Sequence, residues 1–575
     1  MGTSAEFHKY VVIGAGPGGV QAGYFLEQRG RDYVVLEKSD AAGAFFSEFP
    51  VGRRLNSFNK KHNWFEDDEF NMRSDWNSLL SDENIRFPPY TDDLYPEADL
   101  VVQYLNDFAK ATNVNIRYGT EVTLIDKNER GNFVITTSTG DLECEVLLLG
   151  TGPVTTVVPD IEGIEHTTDY RDQPRDLEFY RNKRVGIIGQ GNSAFETADR
   201  LLGIAAYVNV LLKRPATSAW DTHHVGDIRA TNKNIMDMFQ LKLLHGVLMP
   251  RVRRINKLPD GTLQTEHEYD YPNGDPPGTL HLTRKYDIII HCTGWRWVPT
   301  ELFAPGLVPE SWYRGKYPET TSSWESVNVP NLYFVGGNMI GGDKQTKSSS
   351  GFIHGYRYNI RSLVNLLDER YEGEPLPTQV FDPLDWNQLV DWMYERVSTT
   401  AALNELWGFM ADAIVVSKDL SRATIVPELP IENLRERSFG DDHVLLLTLE
   451  FGFHKHEAPP LTFSGPSDPT QPDKAVFLHP VVRHLHDGEE HEFHFGDSLL
   501  GRWDRPHGSG GAVMSYHGDF AKWLSKEFGA DLGIDVPEGP SPYRVWSDEE
   551  IVQWKESYRA PVDPWRETGL LGEGR

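Results

Sequence analysis

The sequence predicts an α/β protein with two dinucleotide-binding (Rossmann-like) units, the second inserted in the first, plus a C-terminal α+β extension. Two glycine-rich loops carry the prediction: Gly14, Gly16 and Gly19, with Pro17 between them, and Gly189, Gly191 and Ala194. Each follows a β-branched run (10–13 and 185–188) and opens a helix-like stretch, the context in which the backbone meets a pyrophosphate at a helix N-terminus. One such loop fits a single nucleotide. Two in one chain predict FAD on the first unit and a nicotinamide cofactor on the second.

The first unit runs from the strand at 10–13 through a helix at 20–28 to a strand at 33–36. Glu37 ends that strand at the spacing where a carboxylate meets the adenosine ribose, with Lys38 beside it. Phe46 lies in a small-and-aromatic stretch (43–46) suited to a flavin, followed by the basic cluster Arg53, Arg54, Lys60 and Lys61 around Asn56 and Asn59. Residues 74–81 read as a loop entering a short helix, and 114–149 as strand-rich, ending in the T-G-P turn of Gly152. A connection over 154–176 leads to the second loop, where Asn192 and Ser193 begin a helix. The strand at 208–212 ends in Lys213-Arg214, cations that suit the extra phosphate of NADPH where an acid would favour NAD. A loop-rich insertion (256–278) precedes a strand at 286–290 and a second T-G turn, Thr293-Gly294. The last strand of the first sheet is expected at 331–337, including Gly336. A helix from near 349, past Gly351 and Phe352, would aim its N-terminus at the flavin. The expected units are an FAD domain (1–160 and 290–375), an NADPH domain (161–289) and a region (376–575) that caps the active site or mediates homodimerisation. In that last region 386–417 reads as helix and 443–449 as strand. The histidines at 484, 486, 491 and 494 lack zinc-site spacing.

The net charge of −29 argues against nucleic-acid and anionic-membrane partners. No apolar run approaches the ~20 residues that span a bilayer. With a polar 1–10 and no retention motif at 571–575, the expected location is cytoplasmic. Cys144 and Cys292, the only two cysteines, form no C-x-x-C pair, so dithiol chemistry is not expected.

The loop pair, the T-G turns and the missing cysteine pair resemble class B flavoprotein monooxygenases. The likeness is closer to the FAD-dependent oxidoreductase domain-containing family known from the eukaryotic endoplasmic reticulum. It is carried by Y-F-L-E-Q-R-G-R-D-Y (24–33), D-W-N-S-L-L-S (75–81), G-N-S-A-F-E-T-A (191–198), H-H-V-G-D-I-R-A (223–230), G-F-I-H-G-Y-R-Y (351–358) and F-L-H-P (477–480). The resemblance implies that NADPH reduces FAD, that O2 then gives a flavin (hydro)peroxide, and that a small-molecule substrate is oxygenated. The Baeyer–Villiger fingerprint is absent, and 287–295 is similar to the signature of amine N-hydroxylases, with His291, Cys292 and Trp295 departing from it. The basic cluster suits a carboxylate, so the favoured reaction is N-hydroxylation of a small, acidic amino acid such as aspartate, with Asn59, Lys60 and Arg229 as catalytic candidates. Asp227 and His224 are expected with Arg229 on the nicotinamide side or in interdomain ion pairs. The alternatives are an NADPH oxidase or reductase that does not oxygenate substrate, and a partner-binding flavoprotein.

Overall fold

The runs Tyr10-Val11-Val12-Ile13 and Val146-Leu147-Leu148-Leu149 form central strands, buried on both faces, which is why they show no polar alternation. The computed structural model describes residues 5–536 except 64–65, 223, 249–250, 272–277, 347, 453–470, 487, 497, 499–500 and 504–515. Residues 537–575 of the expected C-terminal region lie outside the described residues, as do 1–4 and His223.

The first sheet has seven strands, in the order Ile116–Arg117, Tyr33–Leu36, Glu6–Ile13, Gly140–Leu149, Phe133–Thr137 and Val122–Lys127, with Leu332–Phe334 also pairing Gly140–Leu149. Its parallel register sets Tyr10 against Tyr33 on one side and Val146 on the other. A five-stranded parallel sheet follows: Gly246–Leu248, Tyr207–Leu211, Arg184–Ile188, Ile288–His291 and Thr168–Asp169. Short antiparallel strands Thr155–Thr156 and Trp295–Arg296 bring the two T-G turns side by side.

Three local expectations are corrected. Residues 256–278 are not loop-rich: Arg251–Lys257, Leu263–Tyr271 and Gly278–Tyr286 form an antiparallel meander. Residues 74–81 hold no helix beyond the short turn Met72–Ser74, because Asp75 accepts the amides of Asn77 and Ser78 and fixes a tight turn. Residues 386–417 split into helix Trp386–Thr399, capped by Asp385, a short helix Ala402–Glu405 and the strand Met410–Val416.

That strand is central to a six-stranded antiparallel sheet: Gln379–Phe381, Ala423–Pro430, Met410–Val416, His443–Glu450, His479–His486 and Glu489–His494. Its alternation faces two cores. Ala411, Ala413 and Leu446 pack with Tyr333, Tyr356 and Ile360, in the core shared with the first sheet. Ile414, Leu445 and Leu447 pack with Leu389, Met393 and Phe520 of the outer helices. The C-terminal sheet therefore packs directly on helix Ile353–Leu367. No helix among the described residues is long and apolar enough to cross a membrane.

Candidate functional site

Two loops built for close backbone approach dominate the site. Helix Pro17–Gln28 starts at Gly16 with Pro17 in its first turn. A Cβ on Gly19 would stand 1.8 Å from the Gly14 carbonyl oxygen, and one on Gly18 would stand 2.4 Å from Gly336 Cα. Gly16 instead borders open space, as do Gly152 and Gly191. Buried Glu37 accepts the Ala15 amide at 2.7 Å and the Ser39 amide at 2.9 Å, which fixes a carboxylate against the loop, while Lys38 is exposed. Asn338, beside Gly336, is fully buried with neither side-chain atom partnered, and buried Thr151 Oγ1 also lacks a partner. Open space at Gly16, a fixed carboxylate and orphaned polar atoms fit a dinucleotide with a polar ribityl chain. The residues that would hold it are those of this loop with Glu37, Thr151 and Asn338.

The second loop repeats the plan. Helix Asn192–Leu201 starts at Gly191, and Ala194 is buried against Gly189. Ser193 lies in its first turn. Lys213 and Arg214 are exposed after strand Tyr207–Leu211. With the Gln190 amide oxygen facing it, Arg214 Nη2 donates to Gln190 at 3.0 Å, so this cation stands on the loop itself. Asn192 does not face outward as a free ligand group. Its amide donates to the Gly226 and Asp227 carbonyls and accepts the Arg229 amide at 2.9 Å, fastening the 226–229 loop. Thr293 donates to the Val157 carbonyl, and Gly294 accepts the Val157 amide, so this turn holds the crossing strands.

The two units meet through aromatic rings. Phe45, Phe49, Tyr170 and Trp295 cluster with centroids 5.1–6.2 Å apart, next to Phe46. Glu196 of the second helix accepts the Gly52 amide at 2.8 Å, and burial pushes its carboxyl up to about 7 despite that bond and the Tyr170 hydroxyl. Trp76 lies 4.0 Å from Phe58 and 4.1 Å from His354, while Arg229 sits 4.7 Å over it. Phe352, the residue capping helix Ile353–Leu367, joins His354 to His224 through ring contacts, and its neighbour Gly351 packs on Ile340.

The basic cluster does not converge on one point. Arg53 pairs with Asp99 at 2.6 Å and Lys61 with Asp92 at 2.8 Å, while Arg54 lies over Tyr95 and Lys60 is exposed. The expected carboxylate receptor there is thus corrected. The half-buried cation is Arg229, whose guanidinium meets no carboxylate among the described residues. Asp227 is no ion-pair partner for it: its carboxylate accepts Thr217 and Thr222 hydroxyls, each at 2.7 Å. Asn59 is buried, donates to the Thr91 carbonyl at 3.0 Å and leaves its Oδ1 unpartnered; Asn56 is half-buried nearby.

The pyridine nucleotide-disulphide oxidoreductase pattern matches residues 11–336, more than half of the chain. The chain belongs to that family. FAD-dependent oxidoreductase domain-containing protein 2 of Danio rerio is 32% identical over 527 residues, covering 83% of this chain and 75% of that protein. Its Mus musculus counterpart is 32% identical over 540 residues, covering 84% and 77%. Probable indole-3-pyruvate monooxygenase YUCCA9 of Arabidopsis thaliana is 25% identical over 217 residues, covering 35% of this chain and 46% of that protein. This member of the pyridine nucleotide-disulphide oxidoreductases is an FAD-dependent oxidoreductase using NAD(P)H. The disulphide in the family's name has no counterpart here: Cys144 and Cys292 are both free and buried, and burial pushes both thiols up, away from the reactive thiolate.

Sequence reasoning missed Asn338, Glu196 and the pair His354–Glu405. Trp76 and His354 both fell in quoted segments, but nothing in their spacing placed one ring on the other.

Proposed function

We propose that this oxidoreductase is an NADPH-dependent monooxygenase that N-hydroxylates the amine of a small amino acid, acidic ones such as aspartate included. The observation that carries it is Arg229, a half-buried guanidinium held on Trp76 with no carboxylate paired to it among the described residues. Such a fork pairs with a substrate carboxylate. Asn59 Oδ1, buried and unpartnered, is the acceptor we assign to the substrate amine, and exposed Lys60 adds only positive potential. Bound FAD supplies hydride acceptance and the reaction with O2. The chain's own residues orient the substrate, exclude water around Trp76 and set the local charge. The two free, buried thiols suit a reducing compartment, and we place the protein in the cytoplasm, with O2 and a small molecule as its partners. We keep the domain limits expected from the sequence as part of this reading, save that the second unit runs to His291, the end of its strand Ile288–His291, and we assign the described part of the region beyond 376 to closing the site.

The test is a panel of amino acids and amines scored for hydroxylamine or nitrite against NADPH consumed. Substrate-independent NADPH oxidation that yields only reduced oxygen would favour the oxidase reading. Arg229→Ala is expected to raise KM for an acidic substrate about 10- to 100-fold, the loss of one charge-assisted pair. Its substrate-free NADPH oxidation is expected to stay near wild type. For cofactor choice, Arg214→Ala is expected to raise KM for NADPH about tenfold while KM for NADH moves less than twofold. Steady-state kinetics with both nucleotides checks this.

A further inference from the structure

Helix Asn234–Gln240 of the second dinucleotide unit is apolar on two faces, where a surface helix needs one. Ile235 is buried in the core with Phe195 and Ala198, and Met238, three positions on, is half-buried. Met236 and Phe239, also three positions apart, form a second face and are exposed. The helix closes in a left-handed turn at Lys242, φ 58°, where the Lys242 amide donates to the Phe239 carbonyl and the Leu243 amide to the Met238 carbonyl. That closure continues the exposed face through Leu241, Leu243 and Leu244, which are 69%, 52% and 77% exposed. At the other end exposed Trp220 extends it, with Lys233, the residue capping the helix, 5.1 Å over its ring. Five exposed large apolar side chains thus fall within 236–244, and no other nine-residue stretch among the described residues holds more than two.

With Trp220, the six side chains show roughly 600 Å² of apolar surface, as much as a monomer ordinarily leaves open in one patch. The charge around them differs from that of the chain. A net charge of −29 makes two copies repel over most of their surfaces. Along 220–222 and 233–244, however, the ionisable side chains are Asp221, Lys233, Asp237 and Lys242, two of each sign. Asp199, from helix Asn192–Leu201, is engaged by the Asn234 side chain and the Ile235 amide. A balanced patch gains nothing from anionic lipid headgroups, and remote charges are screened beyond about 10 Å, so here two copies can meet without repulsion. Asp237 stands between the two lysines in sequence, which makes the charge pattern complementary to itself under a two-fold rotation.

We propose that this face, Trp220 together with 236–244, is the contact surface of a two-fold symmetric homodimer, its occupant a second copy of the same chain. The two helices run antiparallel with the axis beside Phe239. Met236 then meets Leu243 of the partner subunit, and Asp237 meets Lys242 of the partner subunit. The apolar centre and its rim of exposed polar side chains, Asn234 and Gln240 among them, approach the ~800 Å² per partner of a standard interface. The helix is held rigidly for this contact: Ile235 anchors it inward, and the turn at Lys242 fixes the three leucines outward. The contact thus belongs to the second dinucleotide unit and leaves the region beyond 376 out of the dimer.

The inference is independent of the reaction proposed above. It is tested by sedimentation velocity on the full chain as purified, over about 1 to 50 µM, where a reversible dimer with a micromolar or tighter Kd is expected. Leu241→Asp/Leu244→Asp is expected to raise that Kd at least about 100-fold and to leave a monomer, with the circular dichroism spectrum and Tm of wild type because both side chains are exposed. Leu94→Asp, at an exposed leucine of the first unit, is expected to keep the dimer. The charges give a second reading. Lys242→Glu is expected to raise Kd about tenfold, and adding Asp237→Lys to bring it back within about threefold of wild type, a recovery that requires the two positions to face each other across the axis. A wild-type monomer at about 50 µM overturns the proposal. A dimer that survives the leucine pair overturns it as well, and so does a double charge reversal no tighter than the single one. Should the leucine pair fail to fold, the charge series decides. Wild type that stays monomeric and floats with vesicles of two parts phosphatidylcholine to one part phosphatidylglycerol would give the face to a membrane and overturn the dimer.

Discussion

Gly19→Ala is expected to yield a colourless protein. The added Cβ would meet the Gly14 carbonyl oxygen at 1.8 Å, backbone against backbone, where no side-chain rotation relieves the overlap. The loop must then lift away from helix Pro17–Gln28, at an overpacking cost of about 1–3 kcal/mol. That displacement moves the amides that face the pyrophosphate. A loss of about 3 kcal/mol in cofactor contacts weakens FAD binding roughly 100-fold. Gly16→Ala provides the contrast, because its Cβ meets no protein atom within 4 Å. It is expected to leave the Tm of the apoprotein unchanged and still to lower the ratio of flavin to protein absorbance, since it fills the space reserved for the ligand. Gly19→Ala lowers both. If Gly16→Ala retains full FAD, the space beside it is not the pyrophosphate site.

These loops were legible because sequence and backbone geometry coincide there: a β-branched strand, a glycine turn and a helix start within about ten residues. Strand Tyr33–Leu36 and the acid Glu37 after it were legible for the same reason. The meander at 251–286 was not, because its buried positions include Thr265 and His267, which satisfy each other through a 2.6 Å hydrogen bond and so hide the apolar period. Strand Met410–Val416 was read as helix because it is buried on both faces, and an apolar run without alternation fits either element. The C-terminal histidines pair with each other and with acids, as His484 and His491 do with Glu527, and among the described residues no group of three ligands is set to hold a metal. The pairing of Arg53 with Asp99 and of Lys61 with Asp92 was not legible, because those acids are remote in sequence from the basic cluster. His354 and Glu405 come from two elements joined only by tertiary packing, and no spacing rule could have paired them.

That packing is locked by a buried ion network, and Glu428→Gln is expected to break it. Glu428, on strand Ala423–Pro430, accepts from Arg361 of helix Ile353–Leu367 and from Arg396 of helix Trp386–Thr399. Arg396 also bonds Asp412 of the central strand at 2.6 Å. The amide keeps the shape but leaves Arg396 with Asp412 alone and takes the paired carboxylate away from Arg361, a loss of about 3–5 kcal/mol. The expected readout is a lower Tm and a lower denaturant midpoint for the C-terminal sheet. The pH dependence gives a second check. Burial alone would raise the Glu428 carboxyl, but Arg361 and Arg396 outweigh it and hold the group at about 2, against 4.5 for a free glutamate. A carboxyl depressed on folding contributes its full stabilisation above pH 4.5 and loses it as pH falls toward 2. The gap between wild type and Glu428→Gln is therefore expected to be constant from pH 7 down to about 4.5 and to shrink below it. A gap independent of pH would assign the loss to packing and not to charge. The same lock fastens the helix that carries His354 to the sheet beside Glu405.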